Sequence, residues 1–491
     1  MRINYKKTKI KKLLTSILTV CVVSTSLPLA VQVSAHTIEN ASKQMIQTAE
    51  ETNYFVINTK EDFTKFMTKS DYYKSNSVVI LKSDLNMENV TFKPISKFSG
   101  KFDGCGHTIS NLKIQDKHKL FKKFDIALIK TLDSAAEFKN VTFDNYTVND
   151  NGSKSILPSS YRASGLIIEN YGIISGVNIE NGSMNSIANK IGGNASGFVN
   201  ENFGNIEKCN CSFAGKVELI NNKEEISGGV RGGKIAGGFC AKNSGDINSC
   251  NFNGLTEANI KTVSDAIAGG FVGENKKGNI TNCTSLNKSV DSDEVGSEKV
   301  DESTELLAFA KTHSGSAKAG GFVGQNSGGT ISNCIVTGNT RSESTLGKAY
   351  AGGFVGINKS TIEKSKIIGI NSEEIDLTKC CYVYICSGHF YKDNACGGFV
   401  GRNDKNGLID DCYAETIVST KNDRKVGGFV GEAGNGSTIK NSKCDSNCLV
   451  SAGLVKAEFC NSKDKNAVIE DCSAGEETKD EDTKSEETEN A

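Results

Sequence analysis

One short unit recurs along this chain, and a recurring unit constrains a fold more than composition does. It reads AGGFVGENKKGNITNC at 268–283, AGGFVGQNSGGTISNC at 319–334 and AGGFVGINKSTIEKS at 351–365. CGGFVGRNDKNGLIDDC at 396–412 and VGGFVGEAGNGSTIKNS at 426–442 follow. Looser copies begin at Ala163, Ala195, Ala236 and Ser451, making nine.

Aligned, the copies form columns. The first is Leu166, Phe198, Phe239, Phe271, Phe322, Phe354, Phe399, Phe429 and Leu454. The second is Asn170, Asn202, Asn243, Asn275, Asn326, Asn358 and Asn403. The third is Ile173, Ile206, Ile247, Ile280, Ile331, Ile362, Ile409, Ile439 and Ile469. The fourth is small: Gly176, Cys209, Cys250, Cys283, Cys334, Ser365, Cys412, Ser442 and Cys472.

Period-2 alternation through Phe271-Val272-Gly273-Glu274-Asn275 puts Phe, Gly and Asn on one face, expected inside. Glu274 and its equivalents fall on the other, expected in solvent. The Ile and Cys slots are three apart, so a straight strand cannot turn both inward. A bend is expected between them, often at an Asn (Asn282, Asn333, Asn441), which tolerates the left-handed region.

Short strands with identical residues stacking from copy to copy predict an all-β fold, a right-handed parallel β-helix or β-solenoid. Stacked coils lie about 4.8 Å apart, so Phe meets Phe and Asn meets Asn. A propeller needs blades of similar size. Here the unit spacing runs from 25 to 51 residues. The extra residues read as outer loops, the longest near 287–318 and 370–395.

A small α+β cap is expected before the repeats. Thr59-Lys60-Glu61-Asp62 looks like a capping box, with Phe63, Phe66 and Met67 on one helix face. We divide the chain into a signal peptide (1–35), a linker (36–50), a cap with the first irregular coils (51–160), repeats (161–475) and a disordered acidic tail (476–491). The signal reading rests on Arg2 and five lysines, an apolar run from Leu13 to Val33, and a Val33-Ser34-Ala35 cleavage site. No other stretch is long and apolar enough to cross a bilayer.

The 57 basic and 58 acidic residues nearly balance, and Lys and Arg look scattered, which argues against nucleic-acid binding. Fifty glycines and an Asn content close to a tenth of the chain argue against a helix-rich fold.

The unit resembles the GLUG repeat, and FKPISKFSGKFDGCGHTISNLKI (92–114) resembles the lead-in to the β-helix of such proteins. That repeat occurs in bacterial surface proteins, including the non-catalytic N-terminal regions of immunoglobulin A-cleaving zinc metallopeptidases. The resemblance covers about 90–475 and implies architecture rather than activity. Gly-Phe-Val-Gly stands where Gly-Leu-Val-Gly is commoner. The His-Glu-x-x-His of those peptidases is missing.

Catalytic signals are weak. His36, His107, His118, His313 and His389 contain no pair one helical turn apart. Adjacent Asp410 and Asp411 point opposite ways on a strand, so they make no carboxylate dyad. His107 sits in a Gly-rich turn and reads as structural. The repeat cysteines read as a buried thiol column. For Cys380, Cys381, Cys386, His389 and Cys396, a loop disulfide, free thiols and a metal site stay open.

The sequence therefore predicts a secreted or cell-surface binding and adhesion scaffold, with no catalytic centre, cofactor or metal and no membrane span after signal cleavage. Its expected partners are a host glycoprotein, extracellular matrix or polysaccharide. The alternatives are a polysaccharide lyase or glycoside hydrolase, which would need a groove lined with Asp, Lys and Arg, or a structural spacer. Ligand contacts are expected from Tyr382, Tyr384, His389, Phe390 and Tyr391, with Tyr350 beside them. Phe271, Phe322, Phe354, Phe399, Phe429, Asn275, Asn326, Asn358, Asn403, Cys283, Cys334 and Cys412 are expected to form the structural ladders.

Overall fold

The computed structural model describes residues 52–153, 158–220, 223–286, 306–368, 382–387, 394–420, 425–445, 447–450, 453–456 and 458–474. These residues form a parallel β-solenoid. Almost every strand pairs in parallel with its counterpart one coil away, as in Val272↔Val323 and Ile280↔Ile331.

One coil shows the path. Thr256–Ile260 leads to Ala266–Gly269, then to Val272–Asn275, then to Ile280–Thr281 and Thr284–Leu286. Stacking gives a nine-stranded sheet of Ala266–Gly269 type (the Ala sheet) and a ten-stranded sheet of Val272–Asn275 type (the Asn sheet). A 22-stranded sheet contains the Ile280 and Thr284 legs (the Ile sheet). Thr256–Ile260 belongs to an eight-stranded fourth face.

The two legs of the Ile sheet meet at residues with positive φ: Asn140, Gly176, Lys208, Ser249, Asn282, Asn333, Lys364, Asp411, Asn441 and Asp471. At Asn282 φ is 56°, and at Lys364 it is 49°. This turn lets Ile280 and Cys283 both point inward, and both are fully buried.

The interior is a set of ladders. Phe198, Phe239, Phe271, Phe322, Phe354, Phe399, Phe429 and Phe459 stack with centroids 4.6–4.9 Å apart. Each Asn donates its amide to the next: Asn275 to Asn326 at 3.0 Å, Asn326 to Asn358 at 2.8 Å, Asn358 to Asn403 at 2.8 Å. The spare amide hydrogens go to carbonyls of the following turn, such as Gly278 O and Gly407 O.

The structure corrects several registers. Phe459, not Leu454, ends the ring column, and Leu454 pairs antiparallel with Leu449. In the first copy Ile174, not Ile173, faces inward, since Ile174 registers with Ile206. Val177 then fills the small slot, and Gly176 takes the positive-φ turn. Val272 rather than Gly273 shares the core with Phe271 and Asn275. A Cβ on Gly273 would lie 2.5 Å from Ile235 Cγ2, so glycine there permits close approach of the Ala and Asn sheets.

The expected outer loops are only partly loops. Leu306–Thr312 and Tyr382–Ser387 are strands of the fourth face. That face packs small residues (Ala258, Ala310) against Ala268 and Ala319. Residues 287–305, 369–381 and 388–393 lie outside the described residues.

The N-terminal end is closed by the helix Lys60–Thr68, capped where Asp62 N donates to Thr59 Oγ1 at 3.2 Å. Phe63, Phe66 and Met67 are buried beneath it. No described helix is long and apolar enough to cross a membrane.

Candidate functional site

Only part of the expected ligand segment is described. Tyr382 and Tyr384 lie on the strand Tyr382–Ser387, with Tyr384 in register with Arg341 and Ser419. His389, Phe390 and Tyr391 lie outside the described residues. Tyr350 is only 4% exposed and packs with Ile357 and Ala395, so it is no surface contact.

Tyr350 marks a seam where the outward faces of the Ala and Asn sheets meet. Residues seven apart face each other across it: Arg162 with Glu169 at 2.7 Å, Lys425 with Glu432 at 2.9 Å. Its middle is apolar, with Ile235, Ala241 and Ile267 packed together. Arg162 is the hub of one charged cluster. It grips Asp125 with two bonds of 2.8 and 2.9 Å, and Glu201 lies 3.6 Å away. Arg402 holds a second, with Glu432 at 3.6 Å and Asp404 at 3.4 Å.

The seam carries the Asp, Lys and Arg that a glycan-cleaving groove would need, but they are held in fixed ion pairs. Burial pushes Asp125 up, and the Arg162 guanidinium more than offsets it, leaving the carboxyl below its usual value. Such a group stays ionised at neutral pH and does not supply a proton as a general acid.

Two buried constellations are structural in geometry. His118 Nδ1 lies 2.7 Å from Asp150 Oδ2, and Nε2 donates to Ser153 O at 2.9 Å. Tyr161 donates to the same carboxylate at 2.8 Å, and the His118 and Asp150 side chains are fully buried. In the thiol column, Cys283 Sγ donates to Thr281 O at 3.1 Å and accepts from Cys250 N at 3.4 Å. Burial pushes the Cys412 thiol up to about 12, which makes it a poor nucleophile. His107 lies on the surface, 3.0 Å from Asp84. Cys396 is buried, and its thiol points at Val383 O at 3.6 Å.

The surface feature that the sequence columns do not mark is an aromatic pair. Tyr171 follows Asn170 and Phe203 follows Asn202, so the Asn ladder sets both rings at one corner of adjacent coils. They stack at 4.9 Å and 8° yet stay 43% and 45% exposed. Ile173, turned out by the register described above, is 44% exposed beside them. In the next four coils the same slot holds Ser244, Lys276, Ser327 and Lys359. Glu137, paired with Lys101 at 2.5 Å, and Asn205 flank Ile173 in register, and Asp133, paired with Lys97 at 2.8 Å, lies on the neighbouring coil. The result is a small apolar surface with a rim of hydrogen-bonding groups.

No family model matches the chain, and no curated protein matches it. Among solved structures, a candidate immunoglobulin A1 protease from Bacteroides ovatus, determined by crystallography at 1.30 Å, is similar. The alignment covers 86% of this chain and 84% of that chain, at 13% identity and a TM-score of 0.30. The functional reading rests on this chain's own residues.

Proposed function

We propose that this chain is a secreted or surface-held β-helical scaffold of the GLUG type, which binds a glycan or glycoprotein and does not cleave it. The observation that carries this reading is the Tyr171–Phe203 pair with Ile173. An apolar patch rimmed by polar groups on a soluble surface marks an interaction site. A plain spacer has no use for two rings left 43% and 45% exposed when the next four coils place Ser or Lys there. Ring faces and the Ile173 side chain suit the C–H faces of sugars. Glu137, Asn205 and Asp133 suit their hydroxyls. The core ladders hold the platform rigid, which lowers the ordering cost of binding.

The test is retention of the secreted form (36–491) on immobilised polysaccharides and host glycoproteins, with eluates examined for shortened chains. Retention without shortening supports the scaffold. Shortened products would turn attention to the seam carboxylates and an enzyme. Neither retention nor shortening would favour the spacer.

A further inference from the structure

Between the strands Lys113–Asp116 and Lys123–Ile126 the chain makes a tight turn closed by Lys122 N donating to Lys119 O at 3.3 Å. Its two central residues are Leu120 and Phe121. They are 51% and 78% exposed, and Phe121 is the most exposed aromatic among the described residues. Phe121 has φ of 55°, the left-handed region, where a bulky residue is an outlier and Gly or Asn is usual. The fold thus tolerates strain to hold an aromatic ring in water, at a slot where glycine would be easier. Strain of this kind gathers at functional positions.

The surroundings are basic. Lys117, Lys119, Lys122 and Lys123 are all exposed around the tip. Of these four lysines only Lys123 has an ion pair with a described residue, at 3.4 Å to Asp125, whose carboxylate Arg162 already holds. The sequence reading of scattered lysines misses this cluster. The base of the turn is fixed: His118 is buried against Asp150, Phe124 is buried, and Ser159 N donates to Lys122 O at 3.1 Å. A rigid base means that little order must be gained when the tip docks.

We propose that the 117–123 turn is a peripheral docking site for an anionic lipid surface. Lysines draw the tip to negative headgroups, and Leu120 and Phe121 enter the headgroup–acyl boundary. An acidic polysaccharide would satisfy the lysines and offer Phe121 a sugar face, but it has no apolar phase for the protruding Leu120–Phe121 tip to enter, so the combination favours lipid. The site is separate from the Tyr171–Phe203 platform and stands or falls without it.

The experiment is co-sedimentation of the secreted form (36–491) with phosphatidylcholine vesicles, with and without phosphatidylserine, at low and raised salt. Variants share every other segment, so their differences report the turn alone. The expected result is binding that needs phosphatidylserine and weakens with salt. Each of Lys119→Gln and Lys122→Gln should weaken it about fivefold. The Leu120→Ser/Phe121→Gly variant should weaken it at least about tenfold, the scale of removing two apolar side chains. Phe121→Gly alone should leave the melting temperature unchanged or raised, because glycine relieves the positive φ. Absence of wild-type binding, equal binding by the double variant, or retention on an acidic polysaccharide but not on vesicles would overturn the proposal. So would a fall of several degrees in melting temperature for Phe121→Gly, since the ring would then serve the fold.

Discussion

The main-chain N–H of Cys334 donates to the hydroxyl of Ser365 at 3.1 Å, just as that of Cys250 donates to the thiol of Cys283 at 3.4 Å. The second half of the contact is also shared. Ser365 Oγ donates to Glu363 O at 2.8 Å, and Cys283 Sγ donates to Thr281 O at 3.1 Å. The slot asks for a small side chain that both accepts from the coil before and donates two residues back. Cys and Ser both satisfy it. Thiol reactivity has no part in it.

Cys283→Ser should therefore melt within a few degrees of wild type. Cys283→Val is apolar, somewhat larger, and leaves Cys250 N without an acceptor, at a cost of about 1–3 kcal/mol for the lost bond. Thermal denaturation followed by circular dichroism distinguishes the two, and a larger loss for Ser than for Val would refute the slot chemistry.

In the Asn ladder, Asn326→Leu should be strongly destabilising. Asn326 accepts from Asn275 at 3.0 Å and donates to Asn358 at 2.8 Å, so its loss takes a partner from amides on both sides. Each buried polar group left short of a partner costs about 1–3 kcal/mol. A melting temperature equal to that of wild type would contradict this.

Phe322→Ala should be among the most damaging changes, about 3–5 kcal/mol, because it opens a gap between Phe271 and Phe354. Phe322→Leu should cost far less, since Leu166 fills the same slot with full burial. Comparing the two variants by thermal melting separates space filling from ring stacking.

Lys364 sits at φ 49°, in the turn where other coils use Asn282, Asn333 or Asn441. Lys364→Asn should stabilise by up to about 1 kcal/mol, because Asn visits the left-handed region more readily. An unchanged or lower melting temperature would show that the Lys364 side chain carries a contact of its own.

Acid should loosen the seam at Asp125 and the fourth face at Glu343. Asp125 and Glu343 are both held below their usual values, burial raising each and the nearby Arg162, or Arg341 and Lys311, outweighing it. A lowered folded pKa contributes stability that is complete above the unfolded value. It is lost as pH falls through the folded one, so melting temperature should drop below about pH 4. Arg162→Gln should destabilise at neutral pH, where it strands Asp125 and Glu169, by about 1–3 kcal/mol. Its deficit should shrink in acid, where those carboxyls are neutral. A deficit independent of pH would argue against the ion-pair account.

The sequence revealed slots where the same residue returns in most coils. Phe, Asn, Ile and Cys recur because each must meet its own copy about 4.8 Å away. It revealed the Asn turns for the same reason. The fourth face stayed hidden because its strands share smallness rather than identity: TEANI at 256–260, LLAFAKT at 306–312 and NTRSES at 339–344 pack through Ala, Ser and Thr. The slip at Ile173 follows from two adjacent isoleucines. Either could be the inward one, and a one-residue shift exchanges core for surface. Tyr171 and Phe203 escaped notice because they occupy a slot that varies from coil to coil, which is also why they are informative about function.

The most direct test of the binding account is the dissociation constant of the best-retained glycan or glycoprotein, measured for wild type and for Tyr171→Ser/Phe203→Ser. Both rings are exposed, so the variant should fold and melt normally. The account predicts at least a tenfold weaker constant, equivalent to about 1.4 kcal/mol. Equal constants for the two proteins would contradict it and move the binding surface elsewhere on the rod.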